Sequence, residues 1–202
     1  IARTCWLSAG LPLHVPGVTI DRQCGSSQQS VHFAAQAVMS GTADVVVAGG
    51  VQAMSQIPIS AAMLAGQAYG FGDPFTGSTG WVKRFGDGLV TQFNSAEMIA
   101  EKWGLSRQDL EQYALNSNER AFRAIDEGRF DREITPVNGV TMDETPRRGT
   151  TLDAMAELQP LQEGGRITAA VSSQTCDAAS AMLICSEEAV KRYDLNPRAR
   201  IH

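Results

Sequence analysis

Residues 17–50 constrain the fold of this chain more than any other stretch. "GVTID" (17–21) predicts a short strand that runs into a polar, glycine-broken corner around Cys24 and Gly25. Val31, Ala34, Ala35 and Val38 then recur at i, i+3, i+4 and i+7, the spacing of one helix face, and Ser40 with Gly41 closes that helix. "ADVVVAGG" (43–50) follows as a β-branched run bounded by glycine, which predicts a strand covered on both faces. Strand, helix and strand in this order predict a right-handed βαβ unit in a mostly parallel sheet, and therefore an α/β fold. With 202 residues and 43% hydrophobic composition, the chain has enough apolar material for one core plus a smaller lobe.

The remaining sequence changes character twice. From Val51 to Gly88 repeated Gly and Pro, as in "YGFGDPFTGSTGW", predict an extended, loop-rich excursion. Asn94 followed by Glu97 predicts a helix start, and that helix runs through Ala100 and Trp103 to Gly104. Ser106 and Asp109 repeat the signal. Leu110, Tyr113, Ala114, Ala121, Ala124 and Ile125 keep helical spacing up to Gly128, with charges on the other faces. This charge-dense region reads as an inserted, mostly helical lobe. "ITAAVSSQTCDAASAMLICSEEAVKRYDL" (167–195) returns to low charge and predicts a small-residue helix, the strand "AMLIC" and a further helix from Glu187.

Composition excludes several kinds of function. A formal net charge of -5 offers no basic excess for a phosphate backbone, so nucleic acid is not an expected partner. No run approaches the roughly 18 apolar residues of a membrane span, and "IARTCWLSAG" lacks the layout of a signal peptide, so a cytoplasmic protein is expected. Cys5, Cys24, Cys176 and Cys185 are far apart, and His14, His32 and His202 show no ligand spacing, so neither a metal site nor a disulfide framework is expected. The first residue is Ile1 rather than Met, which points to a processed chain or a fragment.

Cys24 admits two readings. Cysteine is often a small buried filler. Yet this one follows Asp21, Arg22 and Gln23, precedes Gly25, Ser26 and Ser27, and lies where a strand ends and a helix begins. The unpaired N–H groups and dipole of a helix N-terminus favour a thiolate, which is the nucleophilic form. Gly25 would admit a substrate close to the backbone, and the Cys24 N–H could serve an oxyanion. The residues alone leave both readings open. Cys185 within "AMLIC" and Cys5 beside Trp6 are expected in the core, Cys176 is ambiguous, and His14 and His32 are expected to be structural rather than catalytic bases.

"DRQCGSSQQSVHFAAQAVMSGTADVVVAGGVQAMS" resembles the nucleophile block of the thiolases, with its Gly-Gly-Val strand end and Met-Ser signature. "SAEMIAEKWGLSRQDLEQYALNSNERAFRAIDEGRFDREITPV", "RRGTTLDAMAELQPL" and "GGRITAAVSSQTCDAASAMLICSEEAV" continue the resemblance in the family's order, closest to the degradative 3-ketoacyl-CoA type. It implies a thiolase-like layered α-β-α core, present in part, with an inserted mostly helical loop domain. Residues 1–55 would belong to the N-terminal core half, 56–165 to a loop domain covering CoA, and 166–202 to the return into the core and the start of the C-terminal half. It further implies ping-pong acyl transfer through a Cys24 acyl-enzyme, with coenzyme A as co-substrate and no permanently bound cofactor. Contacts to CoA or substrate would fall on Arg147, Ser173, Ala169, Gln92 and Phe93, and the complete protein would be a homodimer or homotetramer.

The departures from the family pattern carry expectations of their own. Thr91 and Gln92, followed by Phe93, stand where acetoacetyl-specific members have a His-Met pair, so a bulkier acyl group, long or steroid-derived, is expected. The family's Asn-Asp-Gly turn appears as Thr175-Cys176-Asp177-Ala178, and a usual Gly appears as Ala170. The Gly-His-Pro and Cys-x-Gly motifs of the second half do not occur, so the chain resembles an internal section of a thiolase without turnover of its own. A ketosynthase-like condensing enzyme and a non-catalytic acyl-CoA-binding subunit are the rival expectations.

Overall fold

A computed structural model describes residues 1–88 and 90–202, which divide into two units, 1–53 with 177–202 and 54–176. The first unit is built on helix α2 (Ser26–Met39) lying against strands β1 (Val45–Ala53) and β2 (Asp177–Cys185). Ala34 and Ala35 of α2 are buried against Ala48 and Ile184, with Val31, Val38 and Val46 around them. The stripe expected from the sequence is therefore the face that packs. Ser40 caps α2, and Gly41 takes the left-handed backbone (φ 73°) that ends it.

β1 and β2 pair antiparallel, from Val45 opposite Cys185 to Ala53 opposite Asp177. This corrects the mostly parallel sheet expected from the βαβ reading. "GVTID" is not a strand: the chain there wraps helix α1 (Ala2–Ser8) instead of joining a ladder. The Arg3 guanidinium donates to the Val15 and Leu13 carbonyls, the Trp6 indole donates to Pro12 O at 2.9 Å, and Thr19 Oγ1 accepts from the Ile1 and Ala2 nitrogens. Those contacts satisfy a helix-hugging loop rather than a pleated edge. β1 is also not covered on both faces, since Val45, Val47 and Val51 are exposed while Ala48 faces α2. Ser186 joins the strand ends: its N–H donates to Asp44 O at 2.8 Å, and its hydroxyl caps α8 (Glu187–Arg192).

The second unit is mostly helical. Short helices α3 (Ala61–Leu64) and α4 (Thr79–Phe85) punctuate the glycine-rich excursion, where Phe75, Trp81 and Phe85 stack with centroids 4.8 and 4.6 Å apart. Helices α5 (Gln92–Lys102), α6 (Arg107–Asp126) and α7 (Leu152–Ala156) carry the rest. The Ser106–Asp109 capping box forms as the sequence indicates. The start of α5 does not: Thr91, three residues before Asn94, is the cap, with its Oγ1 accepting from Asn94 N at 3.1 Å. Both residues suit an N-cap, and the position with the extended backbone is Thr91. The small-residue helix expected after Ile167 is only a single turn at Ala169–Val171. Ser172 there turns its hydroxyl back onto Thr168 O (2.8 Å), which offers the backbone an alternative to a helix.

One polar node fixes α6 to α7. Arg107 Nη2 donates to the carbonyls of Met155, Ala156 and Leu158 at 2.8, 3.0 and 2.7 Å, and its Nε pairs with the buried Glu111 at 2.7 Å. The guanidinium thereby caps the C-terminal carbonyls of α7 and neutralises a carboxylate that water scarcely reaches. Arg107→Ala removes both functions, and urea denaturation is expected to show a loss of about 3 kcal/mol. By contrast, Thr168 is fully buried with no hydrogen-bond partner for its hydroxyl among the described residues. Thr168→Val is expected to raise stability by about 1 kcal/mol in the same assay, and a loss instead would reveal a hidden partner for that hydroxyl.

Candidate functional site

Cys24 is the middle residue of a single 3-10 turn, Gln23–Gly25, that leads directly into α2, and it is exposed. The corner is held by its own polar groups. Gln23 N donates to Asp21 Oδ1 at 2.9 Å and Arg22 N to Ser26 Oγ at 2.8 Å, while Ser26 Oγ donates to Gln23 O at 2.7 Å. The Arg22 guanidinium reaches forward to Gln29 Oε1. Gln23 has φ 49°, a left-handed conformation that costs a non-glycine residue about 1 kcal/mol or more and persists only where its surroundings impose it. Gly25, the N-cap of α2, has no side chain to cap with, and the first N–H of the helix, that of Ser26, donates to Gln23 O within the corner.

The strand fixes where this corner sits. Ser30 Oγ donates to Gly49 O at 3.1 Å, and a Cβ at Gly50 would fall 1.9 Å from Ser27 Oγ. Gly50 therefore lets the first turn of α2 lie directly on the strand, whereas a Cβ at Gly49 would meet Ser180 O of β2 at 2.2 Å. Sequence reading found the corner but not this support, although "AGG" opposite a serine-rich helix start was the available signal.

Arg147, Ser173, Ala169, Gln92 and Phe93 belong to the second unit, and all five are exposed. Two ties bring their segments together. Gln174, next to Ser173, donates its side-chain amide to Thr145 O at 2.6 Å, two residues before Arg147, whose own N–H is held by Asn118 Oδ1 of α6 at 2.9 Å. Gln92 and Phe93 open α5, which is joined to the strand-like segment before Ala169 through Glu97. Asn118, Gln174 and Glu97 were not singled out from the sequence as site residues, because amide and carboxylate side chains on charged helices look like solvated groups there.

The neighbouring arginines differ in electrostatics. Arg148 is bidentate to Asp126 and stacks over Phe122, 4.1 Å from the ring centroid. The hydrogen bond from Arg148 holds the Asp126 carboxyl below the usual carboxylate range, and Asp126 in turn raises Arg148. Both arginines are exposed, but Arg147 makes no ion pair among the described residues. Two other expectations are corrected here: Cys5 is exposed rather than core, and Cys185 is half-buried. His14 and His32 are both exposed. The described residues hold no cluster of His, Cys, Asp or Glu suited to a metal ion, and none of their helices is long and apolar enough to cross a membrane.

The chain belongs to the thiolase family: the family model for the thiolase N-terminal domain matches residues 1–188. It is 58% identical, over its whole length, to 50% of the steroid 3-ketoacyl-CoA thiolase FadA6 of Mycobacterium tuberculosis. It is 37% identical, again over its whole length, to 52% of a 3-ketoacyl-CoA thiolase of Vibrio cholerae. The solved structure of acetyl-CoA acetyltransferase from Syntrophomonas wolfei superposes with a TM-score of 0.76 at 34% identity, covering 97% of this chain and 51% of that one. The fold is thus the thiolase-like α/β fold, and the chain spans about half the length of the curated relatives it matches.

The glycine contact can be tested directly. Gly50→Ala is expected to lower stability by about 2 kcal/mol and to alter the rate at which iodoacetamide alkylates Cys24, because the first turn of α2 must move. Adding Ser27→Ala removes the obstructing hydroxyl and should return part of both effects in a double-mutant cycle.

Proposed function

We propose that the chain is the nucleophile-bearing part of a degradative thiolase that cleaves 3-oxoacyl-CoA with coenzyme A. The observation that carries this reading is the strained, polar-stapled corner that presents Cys24 at the uncapped start of α2. In the first half-reaction Cys24 Sγ attacks the 3-keto carbon, and the C2–C3 bond of the tetrahedral adduct breaks. Acetyl-CoA leaves as a carbanion that takes up a proton, and the shortened acyl group stays on sulfur as a thioester. In the second, the CoA thiol attacks that thioester and releases acyl-CoA and the cysteine. Each step passes through an oxyanion, for which the Cys24 N–H is the proposed donor.

Arg147, Ser173, Ala169, Gln92 and Phe93 are the proposed contacts to CoA and substrate, and the exposed charge of Arg147 suits a phosphate group. A steroid-derived or other bulky acyl group is the proposed substrate class. The higher identity to a relative named as a steroid 3-ketoacyl-CoA thiolase supports it, as does Gln92-Phe93 at the start of α5. No bound cofactor is proposed beyond CoA as co-substrate. A cytoplasmic homodimer or homotetramer is the proposed working form, in keeping with apolar side chains such as Tyr69 and Phe71 that the second unit leaves exposed.

Steady-state thiolysis by the whole protein tests the reading. Parallel double-reciprocal plots are expected, as for a ping-pong reaction, with kcat/KM for a bulky 3-oxoacyl-CoA at least about tenfold above that for acetoacetyl-CoA. Cys24→Ala should reduce turnover about a thousandfold or more. Intersecting plots, or a Cys24→Ala protein that still turns over, would contradict it.

A further inference from the structure

Glu97 does not serve the cap of its own helix, which Thr91 supplies, and its carboxylate reaches across to a segment 69 residues away. Oε1 accepts from the backbone N–H of Arg166 at 2.5 Å and from that of Ile167 at 2.7 Å, and Oε2 pairs with the Arg166 guanidinium at 3.5 Å. The carboxylate is largely enclosed, with its side chain 14% exposed. The acceptor segment is a tight hairpin in which Leu161 N donates to Ile167 O at 2.8 Å and Pro160 bridges Thr168. A Cβ at Gly165 would fall 2.6 Å from Glu97 Oε1, so glycine at this position is what admits the carboxylate.

The two ends of this clamp carry the proposed substrate contacts. Phe93 lies four residues, about 6 Å along the helix axis, before Glu97. Ala169 follows Ile167 by two residues, and buried Ile167 and Thr168 anchor that end. A carboxylate receiving two backbone N–H groups and an arginine is a charge-assisted junction, stronger and more directional than an exposed ion pair. We propose that Glu97 is a positioning residue that sets the separation of Gln92–Phe93 from Ala169–Ser173, the two segments proposed to meet the thioester arm of acyl-CoA. This rests on the thiolase reading above.

The test uses the whole protein and separates KM from kcat. Glu97→Ala is expected to raise KM for both CoA and 3-oxoacyl-CoA roughly tenfold, with a much smaller change in kcat, because binding geometry is lost while the chemistry at Cys24 is not. Glu97→Gln keeps an oxygen acceptor for both N–H groups and should restore most of the KM. Gly165→Ala presses on the carboxylate from the other side without changing charge, and should raise KM as Glu97→Ala does; it also supplies the measurement if Glu97→Ala does not fold. An unchanged KM in Glu97→Ala or Gly165→Ala, a loss confined to kcat, or equal losses in the Gln and Ala variants would overturn the inference alone. Wild-type protein that does not turn over 3-oxoacyl-CoA would overturn the thiolase reading and this inference with it.

Discussion

α2 can lie as close to β1 as it does because small residues meet at the centre of the contact. Ala34 and Ala35 meet Ala48, and Ser27 meets a backbone that has no Cβ at Gly50. Such residues bury little apolar area themselves, so proximity and hydrogen bonds such as Ser30 to Gly49 O hold the first turn, while Val31, Val38, Val46 and Ile184 add apolar bulk around the alanines. Its consequence is positional. Once the first turn of α2 is seated on β1, the residues before it must turn sharply, and the left-handed Gln23 and the Asp21, Arg22 and Ser26 hydrogen bonds are how the chain does so. Cys24 sits at that turn because of packing one helical turn further on.

The second unit solves a different problem by different means. Its segments between helices are long and glycine-rich, and single polar side chains hold them: Arg107 on the end of α7, Asn118 and Gln174 around residues 145–147, and Glu97 on the hairpin before Ala169. Each satisfies backbone groups that irregular structure would otherwise leave unpaired. The residues expected to meet CoA lie on these tethered segments, exposed themselves but attached to buried anchors such as Met155, Ile167 and Thr168.

Local features of the fold were legible in the sequence where a short-range rule governed them. The α2 stripe, the Gly41 stop, the Ser106–Asp109 box and the strand within "AMLIC" all follow from periodicity and capping chemistry. The pairing of β1 with β2 did not, because an apolar β-branched run is the same in a parallel or an antiparallel ladder, and the partner lies far along the chain. "GVTID" has strand propensity, but Thr19 and the backbone around Gly17 are engaged by α1. Glu97 shows the same limit at the site: its spacing from Asn94 imitates a capping box, whereas its partners are backbone groups no local pattern reveals. The Cys24 corner was visible as a strand-to-helix junction, while its support by Gly50 depended on a contact in space.

Everything proposed for the reaction depends on Cys24 carrying the acyl group. Rapid quenching of the whole protein with a 3-oxoacyl-CoA in the absence of free CoA, followed by peptide mass spectrometry, reads this directly. An acyl mass is expected on the peptide containing Cys24, and adding CoA should discharge it. An acyl group on another residue, or none in a protein that turns over, would contradict it.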